Sequence, residues 1–252
     1  MRVGLFATCL VDLFRPTVGF AAAQLIEATG ATVEVPAAQT CCGQPAYNFG
    51  ARPTAVRLAK QFIGTFEPFD YVVAPSGSCA GMVKLHFPSL LLGQGEWEPR
   101  ARAVADKTHE LTHFLYQVMR WPGPGRFTGR FGGQVTYHDG CAGLRELGIS
   151  AQPRALLGAV DGLELVEGQE AETCCGFGGT FCIKHPGLSD RMVEDKTRDI
   201  AATGAGTVAA GDMGCLMNIA GKLARDGSAV EVRHVAEILA GACDGPAVGR
   251  GR

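Results

Sequence analysis

No stretch of this 252-residue sequence reaches the roughly 18 uncharged apolar residues that a membrane-spanning helix needs. The apolar opening, Met1–Phe14, is interrupted by Asp12 and then Arg15, with no small-residue cleavage site behind it, so it reads as a buried first strand rather than a secretory leader. Basic residues are not in excess: 23 Lys and Arg stand against 25 Asp and Glu, a net charge of −2 that leaves no positive field for nucleic acid or an anionic membrane. No Gly-x-Gly-x-x-Gly follows the first apolar run, so a dinucleotide site that would accept a hydride is not expected. No Cys-x-x-Cys knuckle occurs, which counts against a zinc finger. The expectation is a globular, cytoplasmic protein, 46% hydrophobic, whose partners are small molecules or other proteins.

Against these absences stand ten cysteines. In a reducing compartment, clustered thiols point to metal or redox chemistry rather than to disulfides. Eight of them form two sets of one shape: Cys9, Cys41, Cys42, Cys79 and Cys141, Cys174, Cys175, Cys215. Corresponding members are displaced by 132, 133, 133 and 136 positions, the mark of an internal duplication. Thr40-Cys41-Cys42-Gly43 is repeated as Thr173-Cys174-Cys175-Gly176, and Glu110-Leu111-Thr112-His113 resembles Glu231-Val232-Arg233-His234 at a displacement of 121. Extra residues in the first half, around a Gly93–Glu98 loop, account for the shorter displacement.

Each half alternates short apolar runs with amphipathic segments. In the first, Val3–Thr8, Thr32–Val35 and Tyr71–Ala74 read as strands, and Val18–Thr29 and Pro53–Phe66 as helices. In the second, Gln134–His138, Leu163–Val166 and Thr207–Ala210 are strands, and Pro153–Val160, Ser189–Thr203 and Leu216–Asp226 are helices. The fold class is therefore α/β: two tandem duplicated cysteine-rich modules, each a mostly parallel sheet flanked by helices, spanning 1–120 and 134–245 and joined by a Pro/Gly-rich linker at 121–133. In such sheets ligand sites form at the carboxyl ends of strands, which predicts that each set of four thiols gathers at one end of its own sheet. Four thiolates per half suit an iron–sulfur cluster or tetrahedral zinc. Gly43 and Gly176 permit close approach of a bulky group.

The phrases Thr8-Cys9-Leu10-Val11-Asp12, Cys41-Cys42-Gly43-Gln44-Pro45-Ala46-Tyr47-Asn48, Pro75-Ser76-Gly77-Ser78-Cys79, Cys174-Cys175-Gly176-Phe177-Gly178-Gly179-Thr180-Phe181 and Gly214-Cys215-Leu216-Met217-Asn218 carry a resemblance that spans nearly the whole chain. They are similar to the cysteine-rich "CCG" domain of heterodisulfide reductases and of the iron–sulfur subunits of glycolate and glycerol-3-phosphate oxidation, and more closely to the lactate utilisation protein A family. The resemblance implies bound iron–sulfur clusters, and the expected cofactor is of the 4Fe-4S type, held by the eight cysteines. It also implies electron transfer in the oxidation of L-lactate to pyruvate, with a ferredoxin-like iron–sulfur protein and a third subunit as partners. A zinc-stabilised interaction module and a thiol–disulfide reductase of the heterodisulfide reductase type are the alternatives. The wider domain pattern ends in Cys-x-x-Cys, and here Met82 and Asn218 stand in the last cysteine's place.

Cys182 could replace a ligand in the second half, and His138, three residues before Cys141 and beside Asp139, could ligate or move protons. Cys243, in a Gly/Pro-rich tail, is not expected to bind. His113 and His234 are read as equivalent capping or packing residues, Asp212 and Lys184 as loop charges near the second set, and 191–199 as a solvated helix face.

Overall fold

The computed structural model describes residues 1–121 and 131–251. It consists of two four-stranded, all-parallel sheets. The first contains β1 (Arg2–Leu5), β2 (Thr32–Glu34), β3 (Tyr71–Ala74) and β4 (Thr108–Glu110) in the order β2-β1-β3-β4. The second contains β5 (Gly133–Tyr137), β6 (Leu163–Leu165), β7 (Thr207–Ala210) and β8 (Glu231–His234) in the order β6-β5-β7-β8. The duplication is therefore one of topology as well as of sequence. Most of the 121–133 linker lies outside the described residues. No helix among the described residues is long and apolar enough to cross a membrane.

The central strands are short apolar runs because helices cover both faces of a parallel sheet. Val3, Leu5, Val72, Val73, Ala74, Val208, Ala209 and Ala210 are all buried. The fourth strand of each sheet is an edge of three or four mostly polar residues, and its sequence gives no alternating signal. The extra length of the first half is not only a loop: it folds into the Trp97–Asp106 helix, whose Ala101, Val104 and Ala105 are buried.

The two halves are not separate beads. One apolar core runs through both, joining Val3, Leu5, Val18 and Leu25 of the first half to Val135, Val208, Val235 and Ile238 of the second. A smaller core around Phe6, Phe62, Phe66 and Phe87 is built from the first half, with Leu147 of the second packed against it. Polar contacts also cross between the halves. Arg15 Nε donates to Glu237 Oε1 at 2.8 Å, Thr17 Oγ1 donates to the same oxygen at 2.6 Å, and His234 Nε2 lies 3.2 Å from the Pro75 carbonyl oxygen.

Strand register revises one sequence equivalence. Ala74 pairs with Glu110 as Ala210 pairs with His234, so the counterpart of His234 is Glu110 and not His113. Both counterparts do the same work. The Glu110 side chain accepts from His113 N, and the His234 side chain accepts from Ala236 N, each capping the helix that follows. His234 is thus the capping residue that its position suggested. His113 instead stacks on His109 with ring centroids 5.2 Å apart.

Candidate metal centre

Each candidate cysteine follows a strand's carboxyl end. After β1, Cys9 is the first residue of the Cys9–Phe14 helix, and after β5, Cys141 opens the Cys141–Leu147 helix. After β3 the Ser76 hydroxyl caps the Gly77–Gly81 helix by accepting from Cys79 N at 3.3 Å. After β7 the Asp212 carboxylate caps the Met213–Arg225 helix, which carries Cys215, by accepting from Gly214 N at 3.2 Å. Thiols in a helix's first turn face unpaired amides and the positive end of the helix dipole, which favours thiolate.

The Cys-Cys-Gly loops follow the second strand of each sheet. Gly43 and Gly176 have φ of 85° and 79°, a left-handed conformation that turns their amides back onto the chain. Gly43 N donates to Cys41 Sγ and Gly176 N to Cys174 Sγ, each at 3.4 Å. A Cβ at Gly176 would stand 2.7 Å from the Ser189 carbonyl oxygen, so glycine is required there on two grounds.

The thiols then converge. Cys9 Sγ lies 3.9 Å from Cys41 Sγ, and Cys42 Sγ 3.5 Å from Cys79 Sγ. In the second half the Sγ atoms of Cys175 and Cys215 and a ring nitrogen of His138 all lie within 4.8 Å of one another. All ten cysteines are free thiols. Hydrogen bonds from Cys42, Cys9 and the Gly43 amide pull the Cys41 thiol down to about 3, and those from Cys141, Cys175 and the Gly176 amide pull Cys174 down to about 2. The same contacts, with burial, push Cys9, Cys42, Cys141 and Cys175 up.

The sequence implied two separate sites, whereas the structure has both sets line one cavity. Its volume is about 390 Å³, and all eight cysteines border it, with Asn48, Ser78 and Thr180 among the polar neighbours. At ~30 Å³ per water that is room for about a dozen solvent molecules, far more than one tetrahedral ion occupies. The halves meet beneath it where the Gly77–Gly81 and Cys141–Leu147 helices pack together. Lys184 Nζ of the second half stands 4.0 Å over the Phe49 ring of the first, so Lys184 is a cross-module contact rather than a free loop charge. Asp212, read from sequence as another loop charge, ties the halves together by accepting from Ser76 Oγ at 3.1 Å and Ser78 N at 3.0 Å.

The remaining candidates separate clearly. His138 is 1% exposed, lies behind the cysteines rather than on the cavity wall, and has no partner in good hydrogen-bonding geometry at either ring nitrogen, although the Ala171 backbone lies close to the ring. Burial, with the nearby Lys196 ammonium, holds it down to about 3, so it is neutral. Cys182 Sγ donates to the Gly179 carbonyl at 3.2 Å and is not among the residues bordering the cavity. Cys243 sits away from it, and burial pushes its thiol up to about 11. Met82 is buried core, while Asn218 Nδ2 donates to the Cys175 carbonyl at 2.8 Å and holds the second loop in place. That role of Asn218 left no signal in the sequence. The 191–199 segment is a charged helix face with Arg191 and Arg198 paired to Glu194 and Asp195, except that Lys196 is buried and donates to the Glu170 carbonyl.

Unpaired thiols grouped by four, together with an orphaned buried imidazole, are a donor set for soft or borderline metals, iron–sulfur or zinc. The family model for the cysteine-rich domain named CCG matches residues 3–84 and 135–220, one copy on each sheet. Over 239 residues the chain is 47% identical to lactate utilization protein A of Geobacillus sp. (strain WCH70) and 48% identical to that of Anoxybacillus flavithermus (strain DSM 21510 / WK1), in each case covering 95% of this chain and 99% of the relative. Lactate utilization protein A 2 of Bacillus cereus (strain AH820) is 43% identical over 240 residues, 95% of this chain and 98% of the relative. With both Cys-Cys-Gly loops in place and the match running nearly end to end, the chain belongs to the lactate utilization protein A family and carries the cysteine-rich domain in duplicate, one copy on each sheet.

Proposed function

We propose that this protein is a cytoplasmic iron–sulfur electron-transfer subunit of a system that oxidises L-lactate to pyruvate. The observation that carries the reading is the single cavity walled by eight free thiols in two sets of four. Cys9, Cys41, Cys42 and Cys79 would hold one centre, and Cys141, Cys174, Cys175 and Cys215 the other, each as a 4Fe-4S cluster. Such clusters exchange single electrons at potentials set by ligand charge, hydrogen bonds and solvent exposure. The chain's own contributions are the helix N-termini and the Gly43 and Gly176 amides, which stabilise thiolate charge, and the apolar surroundings that buried Cys42 and Cys175 share. Lactate oxidation releases two electrons, and no dinucleotide fingerprint is present, so the hydride step falls to a partner while this chain relays electrons. A ferredoxin-like iron–sulfur protein and a third subunit complete the system. Residues 1–120 and 134–245 are the two modules.

The test is iron and acid-labile sulfide analysis of anaerobically purified protein. Bound iron and sulfide with absorbance near 400 nm are expected. A colourless protein that takes up neither after anaerobic reconstitution rules the reading out.

One observation favours a second reading, in which the thiols hold zinc and the protein is an interaction module. Tetrahedral zinc with Zn–S near 2.3 Å places its sulfurs about 3.8 Å apart, and the Sγ–Sγ distances of Cys9 with Cys41 and Cys42 with Cys79 are 3.9 and 3.5 Å. Stoichiometric zinc with no iron in the same assay selects it.

A further inference from the structure

We propose that His138 is a metal ligand of the second module, so that the two halves hold chemically unequal centres: thiolate alone in the first, thiolate with imidazole in the second. The proposal deepens the metal-centre reading and rests on the second module binding a metal.

The geometry is nearly that of a formed site. A ring nitrogen of His138 and the Sγ atoms of Cys175 and Cys215 lie within 4.8 Å of one another. An ion with bonds of about 2.0–2.1 Å to nitrogen and about 2.3 Å to sulfur would draw such donors together by about 1 Å. The ring is buried, and neither nitrogen has a partner in good hydrogen-bonding geometry, the Ala171 backbone being close but poorly placed. A neutral imidazole has one donor and one acceptor, and burying either without a partner is destabilising. Coordination would relieve that cost.

The first module supplies an internal control. Leu5 pairs with Val73 as Tyr137 pairs with Ala209, so the next residues, Phe6 and His138, occupy the same place. Phe6 is fully buried, shares a core with Cys42 and Cys79, and meets Phe62 edge-on with centroids 4.9 Å apart. The fold therefore accommodates a hydrocarbon ring at this point. The second module carries instead a ring with one nitrogen within 4.8 Å of two thiol sulfurs. A neutral donor beside thiolates leaves a centre easier to reduce than thiolates alone, so the second centre would be the electron acceptor of the pair.

The test is a cobalt(II) titration of the anaerobic, metal-free full-length protein, followed by pulsed electron paramagnetic resonance. Cobalt(II) is paramagnetic and accepts tetrahedral sulfur and nitrogen ligands. Thiolate-to-cobalt charge-transfer bands together with the coupling of a directly bound imidazole nitrogen are expected. His138→Phe, which installs the first module's side chain, should abolish the nitrogen coupling and weaken one cobalt site at least about tenfold, no less than the loss of an outer-shell partner costs. The thiolate bands of the first module should remain. His138→Asn, smaller and polar, should lose the same coupling and covers the case in which the phenylalanine variant fails to fold. Thiolate-bound cobalt without nitrogen coupling in the unaltered protein overturns the proposal. So does coupling that persists in both variants, or a second module that takes up no cobalt. Cobalt coupled to His138 in protein that never retains iron and sulfide would sink the iron–sulfur reading alone. Iron and sulfide retained without nitrogen coupling to cobalt would sink only the ligand assignment.

Discussion

Gly77 and Gly143 meet backbone to backbone: a Cβ on Gly77 would stand 2.9 Å from the Gly143 Cα. They lie on helices that carry Cys79 and Cys141, one from each half, so this contact fixes how far apart the two thiol sets stand. Gly77→Ala must push the helices apart and is expected to cost about 1–3 kcal/mol, as overpacking does. Gly81→Ala, one turn along, would meet only the Glu146 carboxylate, which is half-exposed and can swing away. Urea midpoints of the two variants test the contrast. Equal midpoints would mean that the glycine contact does not hold the halves in place.

Glu237 is a carboxylate fully buried between the halves and held by Arg15, Thr17 and the His234 amide. Arg15→Met leaves that charge without its cation and should cost roughly 3 kcal/mol. The double variant Arg15→Met/Glu237→Gln buries no net charge and should recover part of the loss. Chemical denaturation of the three proteins decides it, and a double variant less stable than Arg15→Met would contradict the account.

Asn218→Ala removes the donor that pins the Cys175 carbonyl. A loss of about 1 kcal/mol is expected, with metal lost from the second module and retained in the first. Asn218→Asp should be worse, because it sets a carboxylate oxygen against that carbonyl. Metal content per chain after dialysis reads the difference directly.

If both sets bind metal, Cys42→Ser and Cys175→Ser should each remove about half of it, since serine is a weaker ligand for iron and zinc than thiolate. Full retention in Cys42→Ser with complete loss in Cys175→Ser would leave the first set without a metal.

Burial and the Lys84 ammonium hold His109 down to about 4, below its ordinary value near 6.5. Between these values the unfolded chain takes up a proton that the folded chain refuses, so stability falls as pH falls through that window. His109→Gln should flatten the pH dependence of the urea midpoint between pH 6.5 and 4 by the equivalent of about 1–2 kcal/mol, allowing for partial exposure. An unchanged slope would assign the acid sensitivity to other groups.

The duplication was plain in the sequence because cysteine spacing survives where most other residues diverge. The two inner strands of each half, β1 with β3 and β5 with β7, were legible because their apolar runs are largely buried; β2 and β6, also read from short apolar-containing runs, are edges that stay partly exposed. The fourth strands were not: Thr108-His109-Glu110 and Glu231–His234 are edges with little apolar content, and the resemblance of the phrases around them led to a register slipped by three residues. The merging of two thiol sites into one cavity was likewise hidden. Strand order predicts which end of a sheet gathers ligands, but how the two halves join depends on contacts such as Gly77 with Gly143 and Arg15 with Glu237, which leave no periodic trace.

The apolar core that runs through both halves makes the chain a covalently tethered pseudo-dimer. Two identical copies of one module could wall the same cavity only by finding each other at sufficient concentration, and every change would then appear twice. Joining them makes the encounter intramolecular at any dilution. It also releases the copies from identity, so that Phe6 and His138 can stand at one place in the fold and differ in chemistry.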